Sequence, residues 1–198
     1  MDKNMKDNLI IAAKLTAICF TALVLLSFVN AVTFEKIAEN EKKAIDNANS
    51  QMLEAVGFDK NDLEFIPETF RSTDVDESKT KYFIVKSKTE GEVIGYNVLT
   101  VGNGYGGDMS VMVALGKDLE VLNVKLLKNA ETPGLGKKAE SQKYMEKFMG
   151  SNTDDYPFPL KKSQLKPQFQ DSVTGATITF SGIAKAADKA IELIKAEL

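Results

Sequence analysis

No histidine occurs in the 198 residues, and Cys19 is the single cysteine. Those two shortages remove a good deal of chemistry. Without imidazole or clustered thiolates the chain alone cannot ligate haem through histidine, hold an iron–sulfur cluster or build a zinc–thiolate site, and a Ser-His-Asp triad is excluded. One thiol cannot close an internal disulfide, so cysteine usage does not say which redox compartment the bulk of the chain occupies; Cys19, in an apolar run, reads as a small hydrophobe. No basic stripe stands out either. The formal net charge is −3, which gives no electrostatic reason to bind a polyanion, and nucleic acid is not an expected partner. Internal repeats and low-complexity tracts are also missing. What remains is 43% hydrophobic and 27% charged, enough for one moderately sized globular domain plus an accessory segment.

The accessory segment is the N-terminus. Residues 15–34 carry no charge, and residues 9–13 extend that run past Lys14. At about 1.5 Å per residue, such a helix spans a hydrocarbon core of roughly 30 Å. Lys14 can lay its stem along lipid and reach the headgroups. Lys3, Lys6 and Lys14 all lie on the N-terminal side, so the lysine bias places that end in the cytoplasm and the remainder outside. A cleaved signal peptide is the competing reading, with Val29-Asn30-Ala31 as a small-residue cleavage site, but the apolar run exceeds the roughly 7–15 residues of a signal core. Either reading exports the rest of the chain.

The expected organisation has three parts: residues 1–34 as cytoplasmic N-terminus and transmembrane helix, 35–80 as stalk helix and linker, and 81–198 as the globular domain. Ile45, Ala48, Met52 and Val56 recur at helical spacing until Gly57. Residues 61–80 mix Pro67, Ser72, Asp74, Asp76 and Ser78 without sustained period and read as loop. Strands are expected at 81–87, 92–101, 109–115 and 120–127, with short links that favour antiparallel neighbours. Helices are expected at 139–149, burying Tyr144, Phe148 and Met149, and at 181–198, where Ile183, Ala187, Ala190, Ile191 and Ile194 form one stripe. The fold class is therefore α+β, a mostly antiparallel sheet with flanking helices.

Three stretches invite a functional reading. VGNGYGGD, residues 101–108, satisfies the dinucleotide fingerprint through Gly102, Gly104 and Gly107, but a strand rather than a helix is expected after it, so a hairpin turn is preferred and no NAD site is expected. Its scarcity of side chains would still let a flat ligand approach the backbone, with Tyr105 offering an aromatic face. ETPGLG, residues 131–136, reads on physical grounds first as a rigid turn; as a clamp it would present Thr132 as a polar contact and Leu135 as an apolar one. DSVTGATIT, residues 171–179, precedes the last helix. Its plain reading is a helix start capped by Thr179 or Ser181. Yet hydroxyls at Thr174, Thr177 and Thr179 around a small Gly175-Ala176 turn also suit a phosphate, which free N–H groups and the helix dipole attract. A threonine there could bind a phosphate or be esterified to one, and the physics does not choose.

Asp171, Thr174, Gly175, Ala176 and Thr177 match the D-x-x-[S/T]-G-A-T flavinylation motif, a coincidence of about one in ten thousand over a chain of this length. ETPGLG and the GYGG loop match in order. With its N-terminal helix, the whole chain resembles the G subunit of the Rnf ion-translocating ferredoxin:NAD oxidoreductase, and its nearest relative family is the C subunit of the sodium-pumping NADH:quinone oxidoreductase. The resemblance implies that Thr177 carries FMN through a phosphoester bond, that Asp171 belongs to the signal read by the attaching enzyme, and that Thr174, Gly175 and Ala176 shape the loop. It also implies that Glu131, Thr132 and Leu135 lie along the flavin, with residues 104–107 and Tyr105 beside them. Without histidine a threonine has no base to activate it, so a separate flavin transferase of the ApbE type is an expected partner, along with the other Rnf subunits and membrane lipid. Neither a metal nor a catalytic acid or base is expected, and the coupling ion, Na+ or H+, stays open. The alternatives are the quinone-reductase C subunit and a membrane-anchored assembly module that carries no flavin.

Overall fold

The computed structural model describes residues 3–71, 75–76 and 79–198, with side chains from residue 7 onward. Ser72, Asp74 and Ser78, read above as loop, and the side chains of Lys3 and Lys6 lie outside the described residues. The elements in order are α1 (Lys3–Glu54), β1 (Leu63–Glu68), β2 (Lys81–Ser87), β3 (Val93–Asn103), β4 (Asp108–Gly116), β5 (Val121–Lys128), α2 (Gln142–Met145), α3 (Pro167–Gln170) and α4 (Thr177–Glu197). Two compact units result, Met1–Ala44 and Ile45–Leu198.

The first unit is helix throughout its described length and leaves large apolar side chains such as Leu15, Ile18, Phe20, Leu26 and Phe28 exposed. Its helix is long and apolar enough to cross a membrane.

The second unit is built on a five-stranded antiparallel meander in the order β1-β2-β3-β4-β5. Alternation along β4 sorts side chains to two faces: Met109, Val111, Val113 and Leu115 join the cluster containing Ile183, Ala187 and Ile194 of α4, whereas Met112 and Ala114 join Ala48, Met52 and Leu53 of α1. Both faces of the central strands are thus covered, which explains their nearly continuous burial. Buried amides fix the α1 side: Asn97 Nδ2 donates to Asn49 Oδ1 at 3.0 Å, and Asn123 Nδ2 to the Met52 carbonyl at 2.8 Å.

Three sequence readings need correction. Residues 61–80 are not all loop, because β1 lies within them and pairs with β2 from Leu63↔Ser87 to Glu68↔Tyr82; it is an edge strand, where Pro67 is tolerated. The last turns of α1 are not a solvated stalk but a covering layer of the core, with Ala48, Asn49, Met52 and Leu53 buried. The helix expected at 139–149 is instead a 3-10 turn (Gly136–Glu140), the four-residue α2 and a series of turns. Ser141 starts α2 afresh by accepting the Tyr144 N–H, and an isolated bridge between Val121 and Ser151 pins the far end. Tyr144 and Phe148 are buried as expected; Met149 is half-buried. Phe148 stacks between Phe158 and Phe180, at 5.8 and 5.4 Å between ring centroids.

Candidate cofactor site

The three stretches singled out from the sequence meet at one end of the sheet. The glycine-rich stretch closes the β3–β4 hairpin, with the Gly104 N–H donating to the Gly107 carbonyl at 2.8 Å. ETPGLG follows β5 and DSVTGATIT leads into α4. Joining them is Glu131, whose side chain is buried. Its Oε1 accepts the Gly106 N–H at 2.9 Å and its Oε2 accepts the Thr179 hydroxyl. Space for the carboxylate exists only because two neighbours are glycine: a Cβ at Gly104 would come within 2.2 Å of Oε1, and one at Gly136 within 2.1 Å of Oε2. Tyr144 packs in the same region, where burial and the Glu131 carboxylate push its hydroxyl's pKa well above the ordinary tyrosine value.

At the start of α4 the chain turns through Gly175, at φ +81°, where the left-handed backbone suits glycine. The Thr174 N–H donates to the Asp171 carbonyl and the Ala176 N–H to the Val173 carbonyl, each at 3.1 Å. Helix α4 then begins at Thr177, four residues before the position expected from sequence, with Ala176 as N-cap and no side-chain cap. Neither Thr179 nor Ser181 caps it; Thr179 is buried and committed to Glu131. The first-turn N–H groups, unpaired within any helix, therefore remain available.

Thr177 is exposed in that first turn, and Thr174 and Asp171 are exposed just before it. The Lys162 ammonium donates to Thr174 Oγ1 at 3.1 Å, a contact with no signature in the sequence. Leu135, 46% exposed, reaches over Gly175, its Cδ2 lying 3.3 Å from where a Cβ there would stand. Thr132 is exposed in the same turn, its carbonyl accepting the N–H groups of Leu135 and Lys137 at 3.2 Å. Tyr105 is 73% exposed at the hairpin tip. The fold thus sets Leu135 over the turn formed by Thr174, Gly175, Ala176 and Thr177, with Thr132 in the same loop as Leu135 and Asp171 just before the turn. Glu131 lies beneath them, its two carboxylate oxygens already engaged.

From Thr177 an open groove of about 400 Å³ runs between the end of β3 and one flank of α4, lined by Val101, Gly102 and Asn103 on one side and Ser181, Gly182 and Lys185 among those on the other. The strand and helix touch through glycine: a Cβ at Gly102 would lie 2.3 Å from the Gly182 carbonyl oxygen, and one at Gly182 2.2 Å from the Asn103 carbonyl oxygen.

A family model described as FMN-binding domain matches residues 104–192, which contain the hairpin tip, the ETPGLG turn and the start of α4 but not the β3 side of the groove. The G subunit of the ion-translocating oxidoreductase complex of Shewanella piezotolerans is 30% identical over 185 residues, covering 90% of this chain and 84% of its own. The chain belongs to this G-subunit family. The G subunit of the proton-translocating ferredoxin:NAD(+) oxidoreductase complex of Clostridium ljungdahlii is 26% identical over 98% of this chain and 95% of its own. In fold, the chain is similar to the crystal structure of Shewanella oneidensis NqrC, with a TM-score of 0.53 and 17% identity over 79% of this chain and 99% of that one. Family membership and the FMN-binding match agree with the site's chemistry, since an exposed threonine at an uncapped helix start beside a groove suits a phosphate-bearing flat ligand.

Proposed function

We propose that this chain is the flavin-carrying subunit of an Rnf-type membrane complex, with one FMN esterified through its phosphate to Thr177. The observation that carries this reading is the placement of Thr177: an exposed hydroxyl in the first turn of an uncapped helix, inside a D-x-x-T-G-A-T stretch, at the mouth of a groove. The first-turn N–H groups would hold the phosphate, and the helix dipole would favour its charge. Lys162 is held beside the site by Thr174 and adds a cation. Leu135 stands over the turn before the attachment point and Glu131 sets the relative positions of the loops; Thr132 and Tyr105 would contact the bound flavin.

No histidine exists to deprotonate Thr177, so attachment requires a separate flavin transferase of the ApbE type that reads the exposed Asp171. When bound, FMN supplies the electron chemistry, accepting and releasing electrons between neighbouring redox subunits. The N-terminal helix anchors the chain in the membrane with its N-terminus cytoplasmic, and the FMN domain stands on the other side. There a covalent bond keeps the cofactor from diffusing away. The complex would couple electron flow between ferredoxin and NAD to movement of Na+ or H+.

Purified chain, from cells expressing the transferase, tests this on a denaturing gel. A flavin-fluorescent band is expected for the native sequence and a dark one for Thr177→Ala. A dark native band, or fluorescence that survives the substitution, contradicts the reading.

A further inference from the structure

The polar side chains of the uncharged run in α1 are not spread evenly around the helix. Between residues 15 and 34 they are Thr16, Cys19, Thr21, Ser27, Asn30 and Thr33. At about 100° per residue, all of these except Thr21 fall within about 60° of Asn30, and Thr21 stands on the opposite side. Along the middle of that arc Thr16, Cys19, Leu23, Leu26, Asn30 and Thr33 succeed one another at alternating intervals of three and four. That is the seven-residue repeat of a left-handed helix pair, in which a single asparagine on the seam fixes the register of the two helices.

Hydrogen bonding sets Asn30 apart from the rest. Thr16, Thr21 and Thr33 donate back to the carbonyls of Ala12, Ala17 and Val29, at 2.9, 2.8 and 2.8 Å. The side chains of Ser27 and Asn30, one turn apart and both exposed, hold no hydrogen bond among the described residues. A serine hydroxyl can turn to its own helix backbone, but an amide with two donors and an acceptor cannot satisfy itself that way. Depth makes this costly. Asn30 stands about 8 Å along the helix from the middle of the uncharged run, inside a hydrocarbon half-thickness of about 15 Å. Its side chain is too short to reach the headgroups as Lys14 can, and lipid tails offer no partner.

We propose that this face of α1 packs against a transmembrane helix of another subunit of the same complex, which presents an amide, hydroxyl or carboxyl side chain to Asn30. The proposal rests on the reading of α1 as a membrane span and is independent of the flavin site. One-sided polarity on α1 selects a helix of matching one-sided polarity, because each amide left facing hydrocarbon is unpaired. The related G subunits are components of larger complexes, which supplies a second helix without requiring a second copy of this chain.

The test uses membranes from cells carrying the whole complex, with photoreactive benzoylphenylalanine placed at one position of α1. Leu23, about 20° around the helix from Asn30, is expected to cross-link this chain to a different membrane subunit. Phe28, about 160° away, is expected to give no such product. Asn30→Leu, which suits the bilayer better, is expected to leave the amount of chain in the membrane unchanged. The share that co-purifies with the complex in detergent should fall about three-fold, and Asn30→Gln should recover part of that loss. Equal cross-linking from both positions, a product of twice the chain's mass from Leu23, or native-like co-purification of Asn30→Leu each overturns the assignment. A mature chain found by N-terminal sequencing to start after Ala31 overturns the spanning reading itself, whereas the Thr177→Ala gel decides the flavin separately.

Discussion

The carboxylate of Glu131 accepts the hydroxyl hydrogen of Thr179, 48 residues further along the chain, and this contact inside the protein ties the turn after β5 to the first turn of α4. With the Gly106 N–H on its other oxygen, the same side chain holds the β3–β4 hairpin as well. Glu131→Ala removes both acceptor oxygens and leaves the Gly106 N–H and the buried Thr179 hydroxyl without this partner. A loss of about 1–3 kcal/mol is expected in denaturant unfolding, with slower flavin attachment at unchanged Thr177. Equal stability and attachment rate in the variant would show that the carboxylate is not the joint between the loops.

A different contact sets the packing of α4 on the sheet. Gly182→Ala would place a Cβ 2.2 Å from the Asn103 carbonyl oxygen, and backbone cannot yield as a side chain tip can. The helix must shift, at a cost of about 1–3 kcal/mol or more. Gly102→Ala strains the same contact from the strand side, so the double variant is expected to lose less than the sum of the singles. Melting of the three variants checks this.

Lys147 gives the fold a pH dependence. It is fully buried, its Nζ donates to the Tyr144 carbonyl at 2.5 Å, and its amine lies over the Tyr144 ring. Burial lowers its pKa from the ordinary 10.5 to about 7, against a smaller opposing pull from Glu146. Between about pH 7 and 10.5 the unfolded chain holds a proton on this amine that the folded chain has lost. Stability therefore rises with pH across that window, by up to about 1.4 kcal/mol per unit from this group. Below pH 7 both states are protonated and the penalty for burying the charge is at its full value. Lys147→Met should be more stable than the native protein at neutral pH and should flatten the rise; a native-like slope in the variant would assign it to other groups.

Much of the sheet was legible because β2 to β5 are rich in Val, Ile, Tyr and Leu and are separated by turn residues, so their expected limits fall within a few residues of the observed ones. The α4 stripe was legible because its apolar residues recur at helical spacing. Strand β1 was not, because Glu64, Pro67 and Glu68 give an edge strand little apolar signal. The end of α1 looked like a stalk because Ala48, Asn49 and Met52 mix small, polar and apolar types; only the second face of the sheet reveals that they are core. The start of α4 was misplaced because Thr174, Thr177, Thr179 and Ser181 are interchangeable as caps locally. What distinguishes Thr179 is Glu131, and nothing in the sequence joins those two positions. The gathering of the flavinylation-like stretch and the ETPGLG turn was readable only as a resemblance, whereas Leu135 over Gly175 gives it a physical form.

Peptide mass mapping of residues 171–179 tests the central claim most directly. From cells that carry the transferase, the peptide is expected to bear the mass of one FMN less water, with fragmentation placing it on Thr177. Thr177→Ala should return the unmodified mass. An unmodified native peptide, or a flavin mapped to Thr174 or Thr179, would contradict the account.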